Sequence, residues 1–75
     1  MVYGVDSQEL RKVMIDANIN TIVGLADASG VDRNTISAIL NDKAKPSASV
    51  IEKIAVALSL SGEDIGRIFF SKKLA

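Results

Sequence analysis

Near the middle of the chain, Arg33, Asn34, Ser37, Ala38 and Asn41 have types and spacing suited to recognition rather than catalysis. At about 100° per residue, Asn34, Ser37, Ala38 and Asn41 fall on one side of a helix whose other side carries Ile36, Ile39 and Leu40. A helix face meant for bulk water usually carries Lys and Glu, so small and amide side chains there need a reason. Arg and Asn make paired hydrogen bonds to the edges of guanine and adenine, respectively. Ser37 hydrogen-bonds less selectively. Ala38 leaves room for close approach and for contact with a thymine methyl. Arg33 lies in the first turn, on the flank, with a side chain long enough to reach around. The pattern points to reading of base edges.

Composition narrows the alternatives. The chain has 75 residues and reads as one domain over 1–75, with a core at about 6–70. A hydrophobic fraction of 48% is enough for a compact core despite 4% aromatic residues. There is no cysteine, so neither a disulfide framework nor a thiolate metal site is possible. Histidine is absent too, which removes the commonest metal ligand and the commonest general base. With no nucleophile–base pair, the sequence predicts a protein that is not an enzyme and that uses no metal or cofactor.

Nine basic and nine acidic residues give a net charge of zero, a poor electrostatic footprint for a nucleic-acid binder. Any anchoring to phosphate must come from the placement of Arg33, Lys43, Lys45 and helix N-termini. The N-terminus shows no basic run leading into an apolar stretch. The apolar run Ile54 to Leu60 is too short to span a bilayer. The chain is expected to be cytoplasmic, with no membrane partner.

These groups must be positioned by short helices. Asp6 with Glu9 three residues later forms a capping-box pattern that opens a first helix, with Leu10, Val13, Met14 and Ala17 on its apolar face. Asn18-Ile19-Asn20 ends it. Asn20 or Thr21 caps a second helix that runs to Ser29, and Gly30 supplies the left-handed residue at its end. Asp32 caps a third helix from about Arg33 to Asn41, and Asn41-Asp42 can close it. Lys43 to Pro46 is a short basic connection. Ser47 caps a fourth helix with the stripe Ile51, Ile54, Ala55 and Leu58. Ser61 and Asp64 form a second capping-box pattern, opening a fifth helix through Ile65, Ile68 and Phe69. Ser71 to Ala75 is expected to fray, and no segment alternates as a strand would. The fold class is all-α.

Two short helices joined by a glycine-containing turn at Ser29-Gly30-Val31-Asp32 form a helix-turn-helix. Ala26 is small where the helices cross, Gly30 allows the sharp turn, and Val31 fills the angle between them. The first turn of the second of these helices is the part expected to enter a major groove most deeply.

From Leu25 to Asn41 the chain reads LADASGVDRNTISAILN, and from Val50 to Leu58 it reads VIEKIAVAL, followed by Ile65 to Phe69. This combination resembles the XRE-type helix-turn-helix family, which includes the phage Cro and lambda-type repressors, over about residues 8 to 70. The resemblance implies a compact five-helix bundle of the lambda-repressor-like DNA-binding type, with the helix-turn-helix at helices two and three. It implies sequence-specific binding of double-stranded operator DNA, as a homodimer at least on DNA, by a phage or bacterial transcriptional regulator. With no segment left to sense a ligand, the chain is expected to be Cro-like and a repressor. By position, Arg33, Asn34, Ser37 and Ala38 match base-contacting residues. Thr21, Asn41, Lys43 and Lys45 match phosphate-contacting residues.

The departures matter as well. The Gln frequent at the first turn of helix two is missing, and Asn20 to Gly24 is one residue longer than the usual lead-in. Gly24 inside that helix costs up to about 1 kcal/mol relative to Ala. Leu40 replaces a frequent Glu, so its ion pair with helix one is expected to become an apolar contact. Asp42 replaces the usual Gly and puts an acid near the expected phosphate path. Zero net charge and Asp42 keep a second reading open: a protein-interaction module on the same fold, a modulator or antirepressor that binds a partner repressor. The antitoxin of a toxin–antitoxin pair is a third. Phe70 and Leu74 are the candidate interface.

Overall fold

The computed structural model describes residues 2–73, with side chains from Gly4 to Ser71. The chain runs β1 (Val2–Gly4), α1 (Ser7–Asp16), α2 (Ile22–Ser29), α3 (Arg33–Leu40), α4 (Ala48–Leu58), α5 (Gly62–Phe69) and β2 (Ser71–Lys73). The five helices follow the sequence pattern closely, because each start is set by a local cap. Asp6, Thr21, Asp32, Ser47 and Ser61 each accept a backbone N–H two or three residues on, satisfying donors that have no partner inside the helix.

Two expectations change at the ends of the chain. Ser71–Lys73 does not fray: it pairs antiparallel with Val2–Gly4, Tyr3 opposite Lys72. The pairing brings together segments nearly the whole chain apart, which no local pattern announces. Asp6 donates its N–H to the carbonyl of Ile68 at 2.7 Å, and Val5 is buried beside it. The second change is at Glu9. Only half of the first capping box forms, with Glu9 N–H on the Asp6 carboxylate at 3.1 Å. The Glu9 side chain instead pairs with Arg67 on α5. The Ser61–Asp64 box is complete, with both bonds at 3.1 Å.

Helix exits use left-handed residues. Gly30 closes α2 at φ 75°, while Asn18, Asp42 and Ser59 take φ 60°, 59° and 55° after α1, α3 and α4. Asp42 N–H bonds the Ile39 carbonyl at 3.2 Å and Lys43 N–H bonds the Ala38 carbonyl at 2.8 Å, the two bonds of a Schellman ending.

The core joins all five helices. Leu10, Leu25, Ile36, Ile39, Ile54 and Ile68 are fully buried, each contributing about 1.5–3 kcal/mol by leaving water. Ala26 and Val31 are buried at the helix-turn-helix crossing as their sizes require. Ile36, Ile39 and Leu40 are all buried, which fixes the rotation of α3 and turns its opposite side outward.

Candidate nucleic-acid interface

The outward side of α3 and the loop after it bring the sequence-predicted residues onto one continuous stretch. Arg33 and Asn34 are exposed in the first turn, and neither side chain has a bonding partner among the described residues. Asp32 holds this turn in place by accepting the Asn34 N–H at 3.0 Å. Ser37 and Ala38 are half-buried one turn further on, so they can touch only a surface that comes close to the helix.

Asn41 is committed to the end of α3. Its side-chain amide donates to the Ser37 carbonyl at 2.9 Å and the Ser37 hydroxyl at 3.3 Å, and its backbone N–H bonds the same carbonyl at 3.0 Å. The donors a phosphate would use are therefore engaged within the helix. The amide oxygen of Asn41 and the hydroxyl hydrogen of Ser37 are left for an outside partner. Lys43 and Lys45 are exposed on the loop, with no bonded partner among the described residues.

Thr21 is exposed at the start of α2, and its hydroxyl oxygen accepts the Gly24 N–H at 2.9 Å. The hydroxyl hydrogen can still be donated. A Cβ on Gly24 would lie 2.9 Å from that oxygen, so this glycine leaves room for the cap.

Helix α1 holds the same stretch from behind, which the sequence pattern does not announce. Arg11 donates to the Leu40 carbonyl at 3.3 Å, and Ser7 donates to the Asp42 carboxylate at 3.4 Å. The Leu40 side chain is buried, as expected, but the cation on α1 now binds the backbone of the residue that replaces the family's Glu.

A second surface lies between α4 and α5. Ala48, Ile51, Val56, Leu60, Ile65 and Phe70 line an open apolar groove of about 440 Å³. Val56 is 75% exposed and Phe70 54%. Leu74, the other candidate interface residue, lies outside the described residues. No helix among the described residues is long and apolar enough to cross a membrane. No group of three or more His, Cys, Asp or Glu that could hold a metal ion occurs among them.

A glycine turn, an apolar crossing and an outward-facing second helix define a helix-turn-helix DNA-binding domain. The model of the Cro/C1-type HTH DNA-binding domain matches residues 9–68, and the chain belongs to that family. Comparison with curated proteins gave no match. A solved structure, Streptomyces albus HEPD with substrate 2-hydroxyethylphosphonate and Fe(II) bound, is similar at 26% identity and a TM-score of 0.69. The likeness covers 87% of this chain and 14% of that one, so this chain spans only a small part of that protein's length.

Proposed function

We propose that the protein is a sequence-specific transcriptional regulator that binds operator DNA as a homodimer, with α3 in the major groove. The reading is supported above all by the first turn of α3. There Arg33 and Asn34, the side chains suited to guanine and adenine edges, are exposed and lack a bonded partner among the described residues. Ser37 and Ala38 supply the closer contacts. Lys43, Lys45 and the Thr21 hydroxyl engage phosphate, while Asn41 chiefly closes the helix and offers its amide oxygen. Two half-sites about 34 Å apart would match a two-fold dimer. Within that reading the protein is a Cro-like repressor of phage or bacterial origin. Selection of binding sites from a random duplex pool tests the reading: an enriched palindrome is expected, and an unenriched pool counts against it.

The apolar groove beside Phe70 favours one other reading, a module that binds a partner protein such as another repressor. Zero net charge agrees with it. A similar fold forms a small part of Streptomyces albus HEPD, a structure solved with substrate and Fe(II) bound, and this setting supports the second reading. Chromatography on immobilised random DNA at low salt separates the two readings: retention is expected for the DNA binder, and none for the protein-binding module.

A further inference from the structure

Asp42 has a place in the DNA-facing surface that its role as a helix ending does not account for. Three non-glycine residues adopt the left-handed conformation among the described residues. Asn18 and Ser59, after α1 and α4, are uncharged; the one after α3 is an acid. Asn and Ser thus show that this chain closes helices in the same backbone geometry without a charge. Asp42 is exposed and directly precedes Lys43, with Lys45 two residues beyond. Ser7, the first residue of α1, donates to its carboxylate at 3.4 Å, keeping that group at the junction of α1 and the loop. Neighbouring Cα atoms are about 3.8 Å apart along the chain, and charges within a screening length of about 8–10 Å at ordinary salt still interact. A phosphate drawn to Lys43 or Lys45 within that length of the Asp42 carboxylate also meets its negative charge.

We infer that Asp42 sets the strength of DNA binding by offsetting the attraction of Lys43 and Lys45 for the phosphate backbone. Binding then depends less on backbone charge and more on the contacts made by Arg33 and Asn34. Non-specific binding comes almost wholly from phosphate neutralisation, so it is the process such a residue restrains most visibly. This inference rests on the DNA-binding reading given above.

The test compares the parent protein with Asp42→Asn, which keeps the size and tolerates the left-handed backbone, and with Asp42→Ser, which carries the side chain that Ser59 uses after α4. Binding to a random-sequence duplex is titrated from low to moderate salt. Both variants are expected to bind about three- to tenfold more tightly at low salt. Their logarithmic salt dependence should be steeper by up to about one unit. Unchanged or weaker binding by both variants, with the parent binding, would overturn the inference and leave the DNA-binding reading standing. Failure of parent and variants alike to bind any duplex would overturn both.

Discussion

The guanidinium of Arg11 on α1 donates a hydrogen bond to the carbonyl oxygen of Leu40, the last residue of α3. A cation at a helix C-terminus meets carbonyls with no partner inside the helix and the negative end of the helix dipole. The contact thus ties α1 to the exit of the candidate recognition helix. Arg11→Met keeps the apolar stem and removes the donor, and is expected to cost about 1 kcal/mol of stability. Arg11→Lys, which keeps the cation, should lose less. Urea denaturation checks both, and a midpoint for Arg11→Met equal to the parent's would show that the bond contributes nothing.

The residues that were legible from sequence are those whose structure is decided within a few positions. Thr21, Asp32, Ser47 and Ser61 cap helices because their side chains reach backbone N–H groups two or three residues away. The outward face of α3 was legible for a similar reason: Ile36, Ile39 and Leu40 repeat at helical spacing, and their burial fixes what lies opposite. Glu9 shows where local reasoning stops. The same carboxylate suits a capping box or an ion pair, and Arg67, 58 residues away, takes it. The strand pair of Val2–Gly4 with Ser71–Lys73 and the bond from Arg11 to Leu40 are long-range in the same sense. Three-residue strands carry too little alternation to be seen, and a backbone acceptor has no signature in the sequence.

The Asp64 carboxyl is held below its ordinary value of 3.8, first by the backbone N–H of Ser61 and then by the Arg67 guanidinium. A depressed carboxyl stabilises the folded state above the unfolded value, about 4, and that stabilisation is lost as pH falls through the lower folded value. Stability should therefore decline as pH falls below about 4. Asp64→Asn should shrink the difference between denaturation midpoints measured at about pH 6 and about pH 2.5. An acid loss of the same size in the variant would place its cause among the other carboxylates.

Gly24 and Thr21 are expected to couple. Ala at position 24 gains up to about 1 kcal/mol in helix propensity. It also crowds the Thr21 hydroxyl, whose cap is worth about 1 kcal/mol. Gly24→Ala alone should then change stability little. The same substitution in a Thr21→Ala background should be more favourable by at least about 0.5 kcal/mol. A double-mutant cycle by denaturation measures this directly, and strict additivity would mean the cap tolerates the extra methyl.

Asn34 and its neighbours carry the expected sequence discrimination. Losing a paired hydrogen bond to a base edge costs about 1–3 kcal/mol against the correct base. Asn34→Ala is expected to weaken binding to the selected operator by about fivefold to a hundredfold and to leave random duplex nearly unaffected. Competition titrations with the two duplexes give the ratio. An unchanged ratio would remove Asn34 from the base-reading set.

Lys45 acts on the other component of binding. It is exposed just before Pro46, on the loop that joins α3 to α4. A lysine that neutralises one phosphate releases about one condensed counterion. Lys45→Ala should therefore weaken operator and random duplex by the same factor and reduce the logarithmic salt slope by about one unit. The predicted contrast with Asn34→Ala is the stronger check: one variant should change discrimination at constant salt slope, and the other the salt slope at constant discrimination. If Lys45→Ala leaves the slope as it was, the loop after α3 does not lie along the DNA backbone, and Lys43 and Lys45 serve only to keep that loop in water.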